Sequence, residues 1–230
     1  MGNERLNMPP SKILDQRCFF LFLALFALLV ALPFLSETTY GPVILFLINF
    51  SILLTAVAAM GRSRLMFVIA VILVLPAIVF RFLALESGQP GYLVLTWGFN
   101  AVFYVFILGR LLHYVLRRDF MTSDKLYGAV AAYILVAIFW AQLHGVTQYF
   151  YPGAYAFGGT PKALDMTELI YFSFVALTTA GFGDVTPALV QSRFLTILEM
   201  IAGVMFVAIL IARLTGVYPV VDRPIVDKKS

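Results

Sequence analysis

The stretch Thr178-Thr179-Ala180-Gly181-Phe182-Gly183-Asp184 holds the residues whose types and spacing best suit a chemical task, the binding of a dehydrated cation. Two glycines at alternate positions allow backbone conformations with positive φ that other residues avoid. Successive carbonyl groups can then point toward one axis. Four such loops around that axis would replace the hydration shell of an ion with oxygens. The alternative is an ordinary glycine turn between two helices.

Apolar segments on both sides must position this loop. A short one, residues 168–177, precedes it, and a long one, residues 189–214, follows it. This order predicts a short helix from Met166 to Leu177 that enters the membrane without crossing it, then the extended loop, and then a spanning helix.

The composition indicates an integral membrane protein. Of 230 residues, 62% are hydrophobic and 12% are charged, whereas a soluble domain carries about twice that charge fraction. The single cysteine, Cys18, excludes an intrachain disulfide and a cysteine-based metal site. The sequence has no basic run interleaved with aromatic residues, so nucleic-acid binding is not expected. It also has no P-loop, GxSxG or Ser-His-acid arrangement, so an enzyme is not expected. No cofactor is expected.

The predicted fold class is an all-α integral membrane protein with six transmembrane helices, a re-entrant pore helix and its loop. Each apolar stretch is long enough to cross a bilayer of about 30 Å at about 1.5 Å per residue. The predicted spans are Cys18–Leu35, Pro42–Met60, Leu65–Leu85, Tyr92–Leu116, Leu126–Gln148 and Leu189–Leu214. The predicted divisions are an N-terminus (1–17), a four-helix membrane domain (18–116), a linker (117–125), a pore domain (126–214) and a tail (215–230).

Basic residues near the span ends predict the orientation. If the N-terminus is cytoplasmic, so are Arg62 and Arg64, the basic residues of the 117–125 linker, and Arg213. Both termini are then cytoplasmic, and the glycine-rich loop enters from outside. The short loops favour a prokaryotic inner membrane.

The stretch Thr178–Asp184 resembles the selectivity filter of potassium channels, whose family pattern is Thr-Val-Gly-Tyr/Phe-Gly-Asp. The double threonine, the following aspartate, Pro187 and the flanking apolar helices all match. The resemblance covers about residues 126–214 and is to a bacterial six-span channel with a single pore loop. It implies a homotetramer in the lipid bilayer, because one chain supplies one loop, and passive conduction of K⁺ with selection by backbone carbonyls.

The resemblance also implies roles for individual residues. Carbonyls of the filter would bind K⁺, joined by the hydroxyl of the innermost threonine. Thr178 and Thr179 have the alternative role of hydroxyls that bond back to helix carbonyls. The ion-binding residues are Thr179, Ala180, Gly181, Phe182 and Gly183, and the filter-supporting residues are Thr178, Asp184, Tyr171 and Phe172.

Two residues depart from the family pattern. Ala180 stands where valine is usual, so side-chain volume behind the filter is lost and a weakly selective monovalent cation channel is an alternative. Phe182 replaces the commoner tyrosine, while Phe172 replaces the tryptophan that bonds it. We expect the two phenylalanines to form a compensated apolar collar.

The last span has an apolar face at helical spacing, which the resemblance assigns to the cavity and gate. The alternative is a face that packs against lipid or another helix. This face contains Met200, Gly203, Val204, Val207 and Ile211, with Gly203 at the hinge position. Glu199 is the one carboxylate in this span. It either lines the cavity or, as we favour, is a structural acid bonded to Ser173, Thr178 or Thr196.

Arg110, His113 and Arg117 share one face of the fourth span. They cluster at its cytoplasmic end, and the neighbouring spans offer no acidic partners, so a voltage sensor is not expected. The prediction is a potassium channel without strong voltage gating. A non-conducting scaffold or accessory subunit is the alternative from another class.

Overall fold

The computed structural model describes residues 17–35, 52, 64–117 and 122–215. Six helices and three short strands are present in this part of the chain. They are α1 (Arg17–Leu35), α2 (Arg64–Ser87), α3 (Pro90–Val115), α4 (Ser123–Phe150), β1 (Tyr155–Phe157), β2 (Thr160–Pro161), α5 (Met166–Leu177), β3 (Val185–Pro187) and α6 (Val190–Thr215).

Four of the described helices are long and apolar enough to cross a membrane: segments of α2, α3, α4 and α6. The helices α1 and α5 are apolar but shorter. The predicted second span, residues 42–60, lies outside the described residues except for residue 52, so the count of six spans stays a prediction. Helix α4 begins at Ser123, inside the predicted 117–125 linker, because the Thr122 side chain caps it by accepting from the Lys125 amide at 3.3 Å.

Helix α4 is central, because it packs against α1, α3, α5 and α6. Buried alanines along it permit close helix contacts. Gly145 accommodates the Trp97 indole, since a Cβ there would lie 2.9 Å from Trp97 Cε3. At the opposite end of α4, one oxygen of Asp124 accepts from the Cys18 amide at 2.9 Å, while the other accepts from the Tyr114 hydroxyl at 3.0 Å. This carboxylate therefore ties α1 and α3 to α4.

The prediction of an all-α fold is wrong in the segments on either side of α5, which contain three short strands. They form one sheet in the order β2-β1-β3, with β1 antiparallel to both neighbours. In the pairing of β1 with β3, Ala156 lies opposite Thr186 and Phe157 lies opposite Val185. Since β3 directly follows Asp184, the sheet fixes the C-terminal end of the glycine-rich loop.

Candidate functional site

The short helix α5 begins with a capping box. The Asp165 side chain accepts from the Glu168 amide at 2.9 Å, and the Glu168 carboxylate accepts from the Asp165 amide at 3.0 Å. Both interactions satisfy amides that have no partner inside the helix. The start of α5 is thereby fixed at the residue where the sequence predicts it.

The same helix ends in a Schellman motif. The Ala180 amide donates to the Val175 carbonyl at 3.0 Å, and the Thr179 amide donates to the Ala176 carbonyl at 2.9 Å. This termination requires a left-handed residue, and Thr179 supplies it with φ of 57°. Glycine is usual at such a position, whereas a β-branched residue there is strained by about 1–2 kcal/mol. A threonine at this position therefore suggests that its side chain has a functional task.

Left-handed backbone recurs at every second residue of the loop. Thr179, Gly181 and Gly183 have φ of 57°, 58° and 81°, and the residues between them do not have positive φ. Alternation of this kind turns successive carbonyls to the same side of the chain. Residues 178–183 are all exposed in the single chain. The loop thus lies on an open surface of the single chain.

The hydroxyl of Thr178 donates to the Phe174 carbonyl at 2.7 Å. Thr178 therefore has the alternative role given above, in which its hydroxyl bonds back to a helix carbonyl. The Thr179 hydroxyl makes no hydrogen bond to any described residue. It is the hydroxyl of this pair that is available to a ligand.

Asp184 closes the C-terminal end of the loop. The Tyr171 hydroxyl donates to Asp184 Oδ2 at 2.7 Å, and the Gly158 amide donates to the Asp184 carbonyl at 2.9 Å. The hydrogen bond from Tyr171 stabilises the carboxylate and holds the pKa of Asp184 below its ordinary value. Asp184 therefore keeps its negative charge in mildly acidic solution.

The two phenylalanines of the expected collar do not stack on each other within the described chain. Phe172 is buried and makes edge contacts with the rings of His144 and Tyr155, with centroids 5.1 and 5.5 Å apart. The Phe182 side chain is 72% exposed. They separate because Phe172 faces α4 and β1, whereas Phe182 faces away from the chain. The collar of Phe172 and Phe182 around the filter stays a prediction, because it would form between neighbouring subunits.

Behind the loop, four buried side chains join four elements. Tyr155 Oη of β1 lies 2.6 Å from His144 Nδ1 of α4, and His144 Nε2 lies 2.7 Å from Glu199 Oε2 of α6. The other Glu199 oxygen contacts Ser173 Oγ of α5. Ser173 Oγ also lies 2.6 Å from the Ala137 carbonyl oxygen. All four side chains are fully buried.

The hydrogens of this network can be arranged around a protonated Glu199. The Ser173 hydroxyl has one hydrogen but two oxygens within bonding distance, those of Ala137 and Glu199. If Glu199 carries a proton, it donates to Ser173, and Ser173 donates to Ala137. His144 then donates to Glu199 through Nε2 and accepts from Tyr155 through Nδ1. Burial raises the pKa of Tyr155, which keeps this donor protonated. A neutral Glu199 therefore satisfies every contact.

Helix α6 divides the predicted cavity face into two parts. Gly203 is buried, because a Cβ there would lie 2.0 Å from the Leu177 carbonyl oxygen at the end of α5. It differs in this respect from the other four members of the face. Their side chains are between 38% and 57% exposed: Met200, Val204, Val207 and Ile211.

Sequence reasoning missed His144 and Tyr155 as partners of Glu199. The sequence contained one signal for the pairing of His144 with Glu199: each is an ionisable residue within an apolar span, one before the loop and one after it. Buried ionisable groups in membranes usually pair with one another. Both His144 and Glu199 lie in the halves of their helices next to the outer loops, so antiparallel packing places them at one depth. Tyr155 gave no such signal, because its position depends on the short sheet.

The chain is similar to known ion channels. Residues 129–218 match the family model described as "Ion channel". The chain is also 26% identical over 161 residues to the voltage-gated potassium channel Kch of Escherichia coli (strain K12). That alignment covers 70% of this chain and 34% of the relative, so the chain spans about a third of the relative's length. No solved structure matches the chain. Both matches are to ion channels, and they support a likeness to the potassium-channel superfamily.

Proposed function

We propose that the protein is a passive potassium channel whose filter consists of the backbone carbonyls of residues 179–183. The observation that carries this proposal is the alternation of left-handed residues at Thr179, Gly181 and Gly183. It lies between a capped re-entrant helix and a helix able to span a membrane. Carbonyls that face one side can replace the water around a K⁺ ion without adding a formal charge.

The same geometry supports a homotetramer. The filter residues of one chain are exposed, and the carbonyls of one chain alone cannot enclose an ion. Four copies around a common axis would surround it and would bury Phe182, which is 72% exposed in the single chain. A native mass spectrum of the detergent-solubilised protein should therefore show four chains. A monomer that conducts ions would contradict this assembly.

We infer that the exposed residues of α6 line the cavity below the filter and form its gate. Their aliphatic side chains suit a gate that closes by excluding water where the helices converge. The proposed residues are Met200, Val204, Val207 and Ile211, with Gly203 at the junction to α5. Glu199 stays outside this cavity, because its side chain is fully buried.

We further propose that conduction depends little on voltage, that both termini are cytoplasmic, and that the membrane is a prokaryotic inner membrane. Arg110 and Arg117 lie within the last part of α3 and just after it, so few charges would cross the field. A gating-charge recording checks this. Several charges moved per subunit would contradict the proposal.

A bi-ionic reversal potential tests conduction and selectivity together. The purified protein is placed in planar bilayers with K⁺ on one side and Na⁺ on the other. We expect reversal far toward the potassium potential. Ala180 favours the second candidate, a weakly selective cation channel, and a reversal near zero with clear current would establish it. Ala180→Val should then restore selectivity. Absence of current in wild type and variant would favour a scaffold.

A further inference from the structure

A cavity of about 400 Å³ lies between the four helices α1–α4 and the start of α5. This volume is within the range of sites that bind small molecules. Part of the lining is aliphatic, contributed by Leu28, Ala77, Leu93 and Ile138. The rest contains polar and charged side chains, among them Arg81, Thr96, Asn100, Gln142 and Asp165. The cavity is thus amphipathic and is separate from the filter.

Arg81 is the cation of this lining. It lies six residues before the end of α2 at Ser87, about 9 Å below that end. No described residue forms an ion pair or a hydrogen bond with its guanidinium. An arginine at such a depth is costly unless an anion or water meets it. The lining therefore has an open position for an anionic group.

Gln142 supplies an acceptor without a donor. Its side chain is 2% exposed, and Nε2 donates to the Met166 sulfur at 3.7 Å. The sulfur can only accept, which fixes the orientation of the amide. Gln142 Oε1 is buried and has no hydrogen-bond partner in the described part of the chain. A buried acceptor without a donor is unfavourable, so a ligand that donates here gains affinity.

Asp165 adds an anion to the same lining. Its Oδ1 accepts from the Glu168 amide as the cap of α5, and the residue also lines the cavity. A suitable ligand must therefore combine an anionic group for Arg81 with a cationic hydrogen-bond donor for Gln142 and Asp165. It must also have an apolar part that fits the aliphatic lining.

We propose that this cavity binds the headgroup of a phospholipid that bears a primary ammonium, such as phosphatidylethanolamine. The phosphate binds Arg81, the ammonium donates to Gln142 Oε1 and Asp165, and the first methylenes of the acyl chains contact the aliphatic lining. The cavity lies in the halves of α2 and α4 that adjoin the loops around β1 and α5, so the orientation proposed above places it in the outer half of the membrane, next to outer-leaflet lipids. The lipid would also contact Met166 and Thr167 in the first turn of α5.

Alternative headgroups fit less well. A choline headgroup has the phosphate but no N–H that could donate to Gln142. A glycerol headgroup can donate through hydroxyls but provides no positive charge for Asp165. The three headgroups share the phosphate and differ only in the part that meets Gln142 and Asp165, so they test the proposal directly.

The experiment titrates short-chain phosphatidylethanolamine, phosphatidylcholine and phosphatidylglycerol onto the purified full-length protein in detergent. Binding is measured by native mass spectrometry and by the rise in unfolding temperature. Phosphatidylethanolamine should bind at least about tenfold more tightly than the other two. Equal affinity for the three lipids in the wild type would overturn the proposal, and this result needs no variant to fold.

Variants assign the contacts. Arg81→Gln should lower the affinity for all three lipids about tenfold, because all three present a phosphate. Gln142→Leu should remove the preference for ethanolamine over choline and leave choline binding unchanged. Asp165→Asn keeps a side chain that can cap α5, but it should shift the preference toward phosphatidylglycerol. The control is Arg193→Gln, an exposed arginine near the start of α6 outside the cavity, which should change nothing. Unchanged binding in Arg81→Gln would refute the proposal.

Discussion

The contact between α6 and the end of α5 at Gly203 makes Gly203→Ala a strong perturbation. An added Cβ would lie 2.0 Å from the Leu177 carbonyl oxygen, 2.9 Å from its carbonyl carbon and 3.0 Å from Leu177 Cδ1. An ordinary contact to the oxygen would require a separation larger by about 1.4 Å. Two of the three atoms belong to the backbone, so a rotamer change of Leu177 cannot relieve the clash.

The expected magnitude follows from two opposing terms. Overpacking costs about 3 kcal/mol, and alanine gains about 1 kcal/mol over glycine inside a helix. The net loss of stability is therefore about 2 kcal/mol. Leu177 directly precedes Thr178, so the displacement would also reach the loop and reduce conduction.

The assays are thermal unfolding of the purified protein and rubidium uptake into proteoliposomes. Gly109→Ala in α3 is the matched control, because a Cβ at Gly109 meets no atom within 4 Å. That variant should be as stable as the wild type or slightly more stable. If Gly203→Ala equals the wild type in unfolding temperature and flux, the close approach of α6 to Leu177 is wrong. If both substitutions lower the unfolding temperature and the flux equally, the cause is a stiffer helix and not the contact with Leu177.

The remaining predictions concern the buried network and the outer mouth. Glu199→Gln should change the free energy of unfolding by less than about 1 kcal/mol and leave the unitary conductance unchanged, because the amide reproduces a protonated carboxyl. A decrease in the free energy of unfolding of about 3–5 kcal/mol would instead indicate an ion pair with His144. Ser173→Ala should cost about 1–3 kcal/mol in thermal unfolding, since it removes the bridge from α5 to α6, and unchanged stability would contradict that bridge. The pKa of Asp184 is lowered in the folded protein, so the contribution of its hydrogen bond is present above the ordinary pKa and is lost as pH falls through the lowered one. Tyr171→Phe should therefore shift the inhibition of K⁺ current by external acid to higher pH, with Asp184→Asn as a control that does not titrate; identical pH profiles for Tyr171→Phe and the wild type would refute this.

Local features of the sequence were sufficient for much of the site. Helix α5 has the predicted bounds Met166–Leu177, because its cap residues and its apolar run both lie within a few positions. The described spanning helices begin and end within three residues of the predicted ones, since bilayer thickness and composition limit them. The positive φ values at Gly181 and Gly183 follow from the absence of a Cβ.

The features that could not be predicted depend on contacts between distant residues. His144 and Glu199 are 55 positions apart, and their pairing requires the register of α4 against α6. The strands β1 and β3 are too short for a recognisable alternating pattern, and each forms because the other is near. The burial of Gly203 likewise depends on the depth at which α5 ends.

Hydrogen bonds at both ends of the filter loop limit the length that this segment can have. The lower end is held by the amides of Thr179 and Ala180, and the upper end by the Asp184 carbonyl and strand β3. Only three residues, 181–183, lie between these attachments. An inserted or deleted residue there would have to break a helix termination or a strand pairing. The turn after Gly158 can absorb such changes more easily, since nothing lies within 4 Å of a Cβ placed on Gly159 and the hydrogen bond from the Gly158 amide to Asp184 precedes that point. Natural length variation among relatives should therefore concentrate in the outer loop and avoid the filter.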